Sequence, residues 1–203
     1  MKRIVLSLIV LALAGSVAIG ATRAYFSDTE TSTGNTFSAG TLDLNLDSGN
    51  TNVVKFTVSN KAPGDTGTGT WTIKNVGTVN GFLDVQPITL SDDDNNCNEP
   101  EAAVPDATCG SVGGGDLSAN MNVDLFVDAN NNTIYDVGGD TPIYTGLLSG
   151  IATAGYDSSI ALNAGATNYI TLNWGIPTTA GNIIQSDSST LGMTFELGQT
   201  AAQ

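Results

Sequence analysis

Histidine is absent from the 203 residues, and basic side chains are scarce, with six Lys and Arg against 20 Asp and Glu. Without an imidazole there is no Ser-His-Asp or Cys-His nucleophile and no HExxH zinc site, so most hydrolase mechanisms fall away. The acidic excess, a net charge of −14, makes nucleic acid and anionic lipid poor partners. Cysteine is limited to Cys97 and Cys109. No long amphipathic helical pattern occurs, and the one long apolar run stands at the start.

That run has the build of a secretory leader. Lys2 and Arg3 form a positive region, Ile4 to Leu13 an apolar one, and small residues follow up to Ala24, where the cut is expected. A cut after Gly20 is the runner-up. A retained anchor is the alternative, since Ile4 to Ala21 is roughly long enough to span a bilayer. Cleavage would remove three basic residues, leaving Lys55, Lys61 and Lys74 to face all 20 acids and no stable membrane anchor. The expected organisation is a signal peptide at 1–24, an N-terminal segment and linker at 25–40, and one domain at 41–203. In an exported chain the two cysteines are expected to pair, Cys97 with Cys109, which would contribute about 3 kcal/mol by constraining the unfolded chain.

From Thr41 onward the apolar residues recur with period two. Leu42, Leu44 and Leu46 alternate with polar neighbours, as do Val54, Phe56 and Val58, then Trp71 and Ile73, then Leu83 and Val85. Met121 to Val127, Ile170 to Ile176 and Leu191 to Leu197 repeat the pattern. Turn formers separate the runs, among them Lys61-Ala-Pro-Gly-Asp65, Asn75-Val-Gly77 and Asn163-Ala-Gly165. Short alternating strands with Gly-rich connections predict an all-β fold, an antiparallel β-sandwich of jelly-roll or immunoglobulin-like topology. Residues 91–119 break the pattern and read as an insertion stapled by the cysteines. Asp92-Asp93-Asp94 inside it reads as a hydrated loop, because three adjacent carboxylates repel.

The sharpest local motif runs from Asp128 to Asp140. Asp128, Asn130, Asn132, the Ile134 carbonyl and Asp136 place oxygens at alternate positions, with Asp140 closing, which is how a short loop wraps calcium. Thr133 occupies the sharp-turn position where glycine is usual. The alternative is an Asn/Asp-rich hairpin loop. Asn131-Asn132-Thr133 is a glycosylation sequon, with Asn131 as acceptor. Trp71 and Trp174 lie in alternating runs and read as core aromatics. The carboxylates could supply an acid/base pair, but no pairing is visible in the sequence.

The stretch AYFSDTE at Ala24–Glu30, then NTFSAGTLDL at Asn35–Leu44, closely resembles the TasA/camelysin family of secreted matrix proteins. The resemblance continues through Ala62-Pro-Gly-Asp65, through Gly69 to Gly77, and through Leu162 to Trp174, Ile176-Pro177 and Asn182 to Gln185. It implies a jelly-roll subunit that polymerises outside the cell into biofilm matrix fibres or bundling pili. An open groove in each sandwich is completed by a donor strand from the neighbouring copy. Carried over by position, the donor is Tyr25, Phe26, Ser27, Asp28, Thr29, Glu30, Thr31, Ser32 and Thr33, with the two aromatics as anchors. The implied partner is a second copy of the chain, with matrix polysaccharide or other cells as further contacts. The alternatives are a monomeric calcium-dependent surface adhesin and a camelysin-type peptidase, the latter opposed by the missing histidine.

Overall fold

A computed structural model describes residues 39–49, 61–96, 99–104, 106–111, 113–153 and 156–201, together with Arg3 and Val5. The chain divides into two units, Met1–Ser38 and Ala39–Gln203. In the first, Arg3 and Val5 are helical. Among the described residues no helix is long and apolar enough to cross a membrane. The expected donor segment Tyr25–Thr33, the Val54–Val58 strand and Cys97 lie outside the described residues.

The second unit is built of antiparallel strands: β1 (Leu44–Leu46), β2 (Thr66–Asn75), β3 (Gly81–Asp93), β4 (Asn122–Val127), β5 (Thr141–Leu147), β6 (Tyr156–Leu162), β7 (Thr167–Gly175) and β8 (Ser188–Gly198). They form two sheets, one ordered β1-β2-β7-β4-β5 and one ordered β6-β3-β8. Neither closes into a barrel. Short helices, α1 (Glu99–Ala102) and α2 (Leu117–Asn120), lie in the connection between β3 and β4. Single stretches of 3₁₀ helix at Leu148–Thr153 and Asn182–Ile184 lead into β6 and toward β8.

Period two explains the core. Trp71 and Ile73 from β2, Val123 and Leu125 from β4, and Ile170, Leu172 and Trp174 from β7 turn to one side of their sheet. They meet Leu83 and Val85 from β3 and Leu162 from β6, and all eight of these aliphatic strand residues are essentially sealed from solvent. The outward face of β2 and β7 carries cross-strand polar pairs instead: the Thr70 and Thr171 hydroxyls at 2.9 Å, and Thr68 donating to Asn173 at 2.7 Å. Both tryptophans lie in the core, as their alternation predicts. Asn75, fully buried, answers for the Asn75-Val-Gly77 turn. Its amide nitrogen donates to the carbonyls of Val79 at 2.9 Å and Leu162 at 3.0 Å, while its oxygen accepts from Gly77 N–H at 3.0 Å. One satisfied side chain thus joins β2 to β6 of the other sheet.

Two parts of the fold differ from the alternation. β5 (TPIYTGL) and β6 (YDSSIAL) are strands although neither alternates cleanly. Their pairing with β4 and β3 supplies the ladder that their own pattern does not announce. β3 also runs on to Asp93, past a register shift between Val85 and Ile88 where the Gln86–Pro87 peptide is cis. Asp92 and Asp93 are therefore strand residues, and Asp94 is buried. The hydrated loop read into Asp92-Asp93-Asp94 is corrected accordingly: cross-strand pairing with β8 carries these carboxylates into the structure despite their mutual repulsion.

Candidate functional site

The Asp128–Asp140 loop leaves the end of β4 and returns into β5, and hydrogen bonds tie its expected ligand residues to their neighbours, Ile134 through its N–H and not through the expected carbonyl. Asp128, with no exposed surface, accepts the N–H of Asn132 at 3.1 Å and of Thr133 at 2.8 Å, and the Thr171 hydroxyl at 3.3 Å. Asp140 accepts from Ala129 N–H and Asp136 N–H, both at 2.8 Å. Asp136 Oδ2 takes the side-chain amides of Asn130 at 3.1 Å and Asn132 at 2.8 Å, and the Asn132 oxygen caps Ile134 N–H at 2.8 Å. Thr133 sits at φ 66°, so the sharp-turn position adopts the left-handed backbone although it is not glycine. The sequon residue Asn131 is exposed, at φ 56°.

A second acidic constellation lies at the far end of β3, and its members are distant in sequence. The β3–β8 register pairs Asp92 with Ser189 and ends on Asp93 with Ser188, so Asp94 and Asp187 are the residues that flank its last pair. Glu101 reaches the same place from α1. One ligand oxygen from each of Asp94, Glu101 and Asp187 lies within 4.8 Å of the others. All three are buried, at 6%, 0% and 9% exposure. One oxygen of each is held by the protein: Asp94 Oδ2 by Gly110 N–H, Asp187 Oδ2 by the N–H groups of Asp116 and of Leu117 at 3.1 Å, and Glu101 Oε2 by the Ser186 hydroxyl at 3.1 Å. The other oxygens of Asp94 and Asp187 are buried with no hydrogen-bond partner. Burial, followed by repulsion from Asp94 and Glu101, pushes the Asp187 carboxyl up to about 6 against the N–H bond from Asp116. Burial and then the neighbouring Asp106 raise Asp116 as well.

The third feature is an edge. β8 has 11 residues and, among the described residues, pairs only with β3. Its inward side chains Leu191, Met193, Phe195 and Leu197 pack against the core yet remain half-buried. Phe195 lies against Trp71, with ring centroids 5.9 Å apart. An open cavity of about 530 Å³ lies elsewhere, over the ends of β2, β4 and β7 between Thr66, Asn122, Asp124, Asn173 and Trp174. It holds a single carboxylate and no acid/base pair.

A family model described as camelysin metallo-endopeptidase matches residues 1–203. No curated protein matches the chain. The family's description implies a catalytic metal, which in zinc peptidases is held by histidines with one carboxylate or cysteine. The residues present do not fit that group. The chain has no histidine, and Cys109, which stands near Asp94 and Asp106, is disulfide-bonded. The remaining constellation is all-carboxylate. The sequence signalled the Asp128 loop by its spacing, whereas nothing short of the β3–β8 register brings Asp94 to Asp187.

Proposed function

The chain belongs to the camelysin metallo-endopeptidase family, and we propose that within it the protein is a structural subunit and not a peptidase. It is secreted, and it polymerises into extracellular filaments by adding the N-terminal segment Tyr25–Thr33 of one copy to the sandwich of the next.

The edge of β8 carries this reading. A strand with one free side presents a row of unsatisfied N–H and C=O groups, and a neighbour's extended segment is what such an edge accepts. The half-covered Leu191, Met193, Phe195 and Leu197 supply apolar places beside it. The donor spans nine residues, roughly 30 Å when extended, against roughly 37 Å for β8. Tyr25 and Phe26 would anchor it, and main-chain bonding with threonine packing would hold the remainder. A contact between two different surfaces that does not close on itself propagates as a fibre. Pairing of Cys97 with Cys109 and calcium in the Asp128 loop, with the Asn130 and Asn132 amides turned to present oxygen, are stabilisers within the same reading.

Electron microscopy of the purified secreted protein tests it. The wild type should form filaments, and a variant lacking Tyr25–Thr33 should stay a folded monomer. Filaments formed equally by the truncated chain would remove strand donation, and a persistent monomer under all salt and calcium conditions would favour the adhesin.

A further inference from the structure

We propose that Asp94, Glu101 and Asp187 form a binding site for a hard divalent cation, calcium, that fastens the β3–β4 connection to the start of β8. The site is separate from the Asp128 loop and does not depend on polymerisation.

The argument begins with charge. Like charges held close together and out of water repel, and here carboxylates flanking the last β3–β8 pair and one from α1 come within 4.8 Å of one another. No Lys or Arg occurs anywhere after Lys74, so this half of the sequence contains no basic side chain to answer three buried acids. Burying a carboxylate oxygen with no partner is costly, and those of Asp94 and Asp187 call for a counter-charge or a proton.

Geometry says which counter-charge the site takes. Oxygens bound to one calcium at about 2.4 Å can be no more than about 4.8 Å apart, and the three carboxylates meet that limit. Backbone N–H groups fix Asp94 Oδ2 and Asp187 Oδ2, while Oδ1 of each is buried and carries no partner. That division, one oxygen tethered by the protein and one left open, is how a ligating carboxylate is oriented. The Ser186 hydroxyl lies within hydrogen-bond reach of Glu101 Oε2 and of the Asn96 carbonyl and can donate to one of them, so neutral oxygens of the kind calcium uses to reach six to eight ligands stand beside Glu101. An all-oxygen, irregular set suits calcium over zinc, which draws on nitrogen and sulfur, and over magnesium, which demands a near-ideal octahedron.

Calorimetric titration with calcium chloride, after dialysis against a chelator, decides the matter. It compares the wild type with two double variants, Asp94→Asn/Asp187→Asn and Asp128→Asn/Asp136→Asn. The loop variant should still bind one calcium at this cluster, and the cluster variant should lose that event or bind about tenfold or more weakly. Thermal melting guards against misfolding, because the cluster variant, relieved of repulsion, should melt above the wild type in chelator and gain no further increment from calcium at this site. The proposal is overturned if the loop variant binds no calcium, or if the cluster variant binds it as the loop variant does.

Discussion

The Asp128 loop and the Asp94–Glu101–Asp187 cluster are both acidic, yet they are opposite solutions to the same electrostatic problem. In the loop, carboxylates within 13 residues of sequence are met by N–H and amide donors of that same stretch, so the charge is settled locally. In the cluster, carboxylates from three separate segments converge on one another, and open oxygens of Asp94 and Asp187 point to no donor. A spacing motif can describe a place that the backbone already satisfies, whereas an unsatisfied place can arise where no motif exists.

Three measurements test that contrast. The largest effect is expected from Asp128→Ala in calcium-free buffer, which orphans the N–H groups of Asn132 and Thr133 beside a buried position. A loss of about 3 kcal/mol is expected in urea unfolding, and a loss near zero would show that the loop is not held by its own hydrogen bonds. Asp187→Asn should move the other way: about 1 kcal/mol more stable than wild type in chelator, where one opposed charge is gone, and less stable than wild type in saturating calcium. Curves that fail to cross between the two buffers would place the cluster with the loop as electrically settled. Asn130→Ala should be the smallest, within about 0.5 kcal/mol, because its amide is exposed on the loop surface. A larger change there would make Asp136 depend on that single donor.

The sandwich was legible wherever alternation was strong. Trp71 and Ile73, Val123 and Leu125, and Ile170 to Trp174 each expose one face to the core by period two alone. β5 and β6 escaped because Gly146, Pro142 and the serines of YDSSIAL blur the period, and their strand state comes from the partner's ladder. The Asp128–Asp140 loop stood out as a motif because the hydrogen bonds that hold it are local. Asp94, Glu101 and Asp187 were not, because Asp94 and Asp187 are brought near by the pairing of two strands nearly a hundred residues apart in sequence, and Glu101 comes from a helix outside that pairing. Cys97 and Tyr25–Thr33 lie outside the described residues.

The scarcity of basic residues has a further effect on resistance to proteolysis. A protease that cuts after lysine or arginine finds no target beyond Lys74. Lys74 itself lies within β2, paired to Asn45 of β1 on one side and Thr167 of β7 on the other. Cutting there requires the strand to leave its sheet, and from Asn75 onward trypsin-like digestion has no site at all.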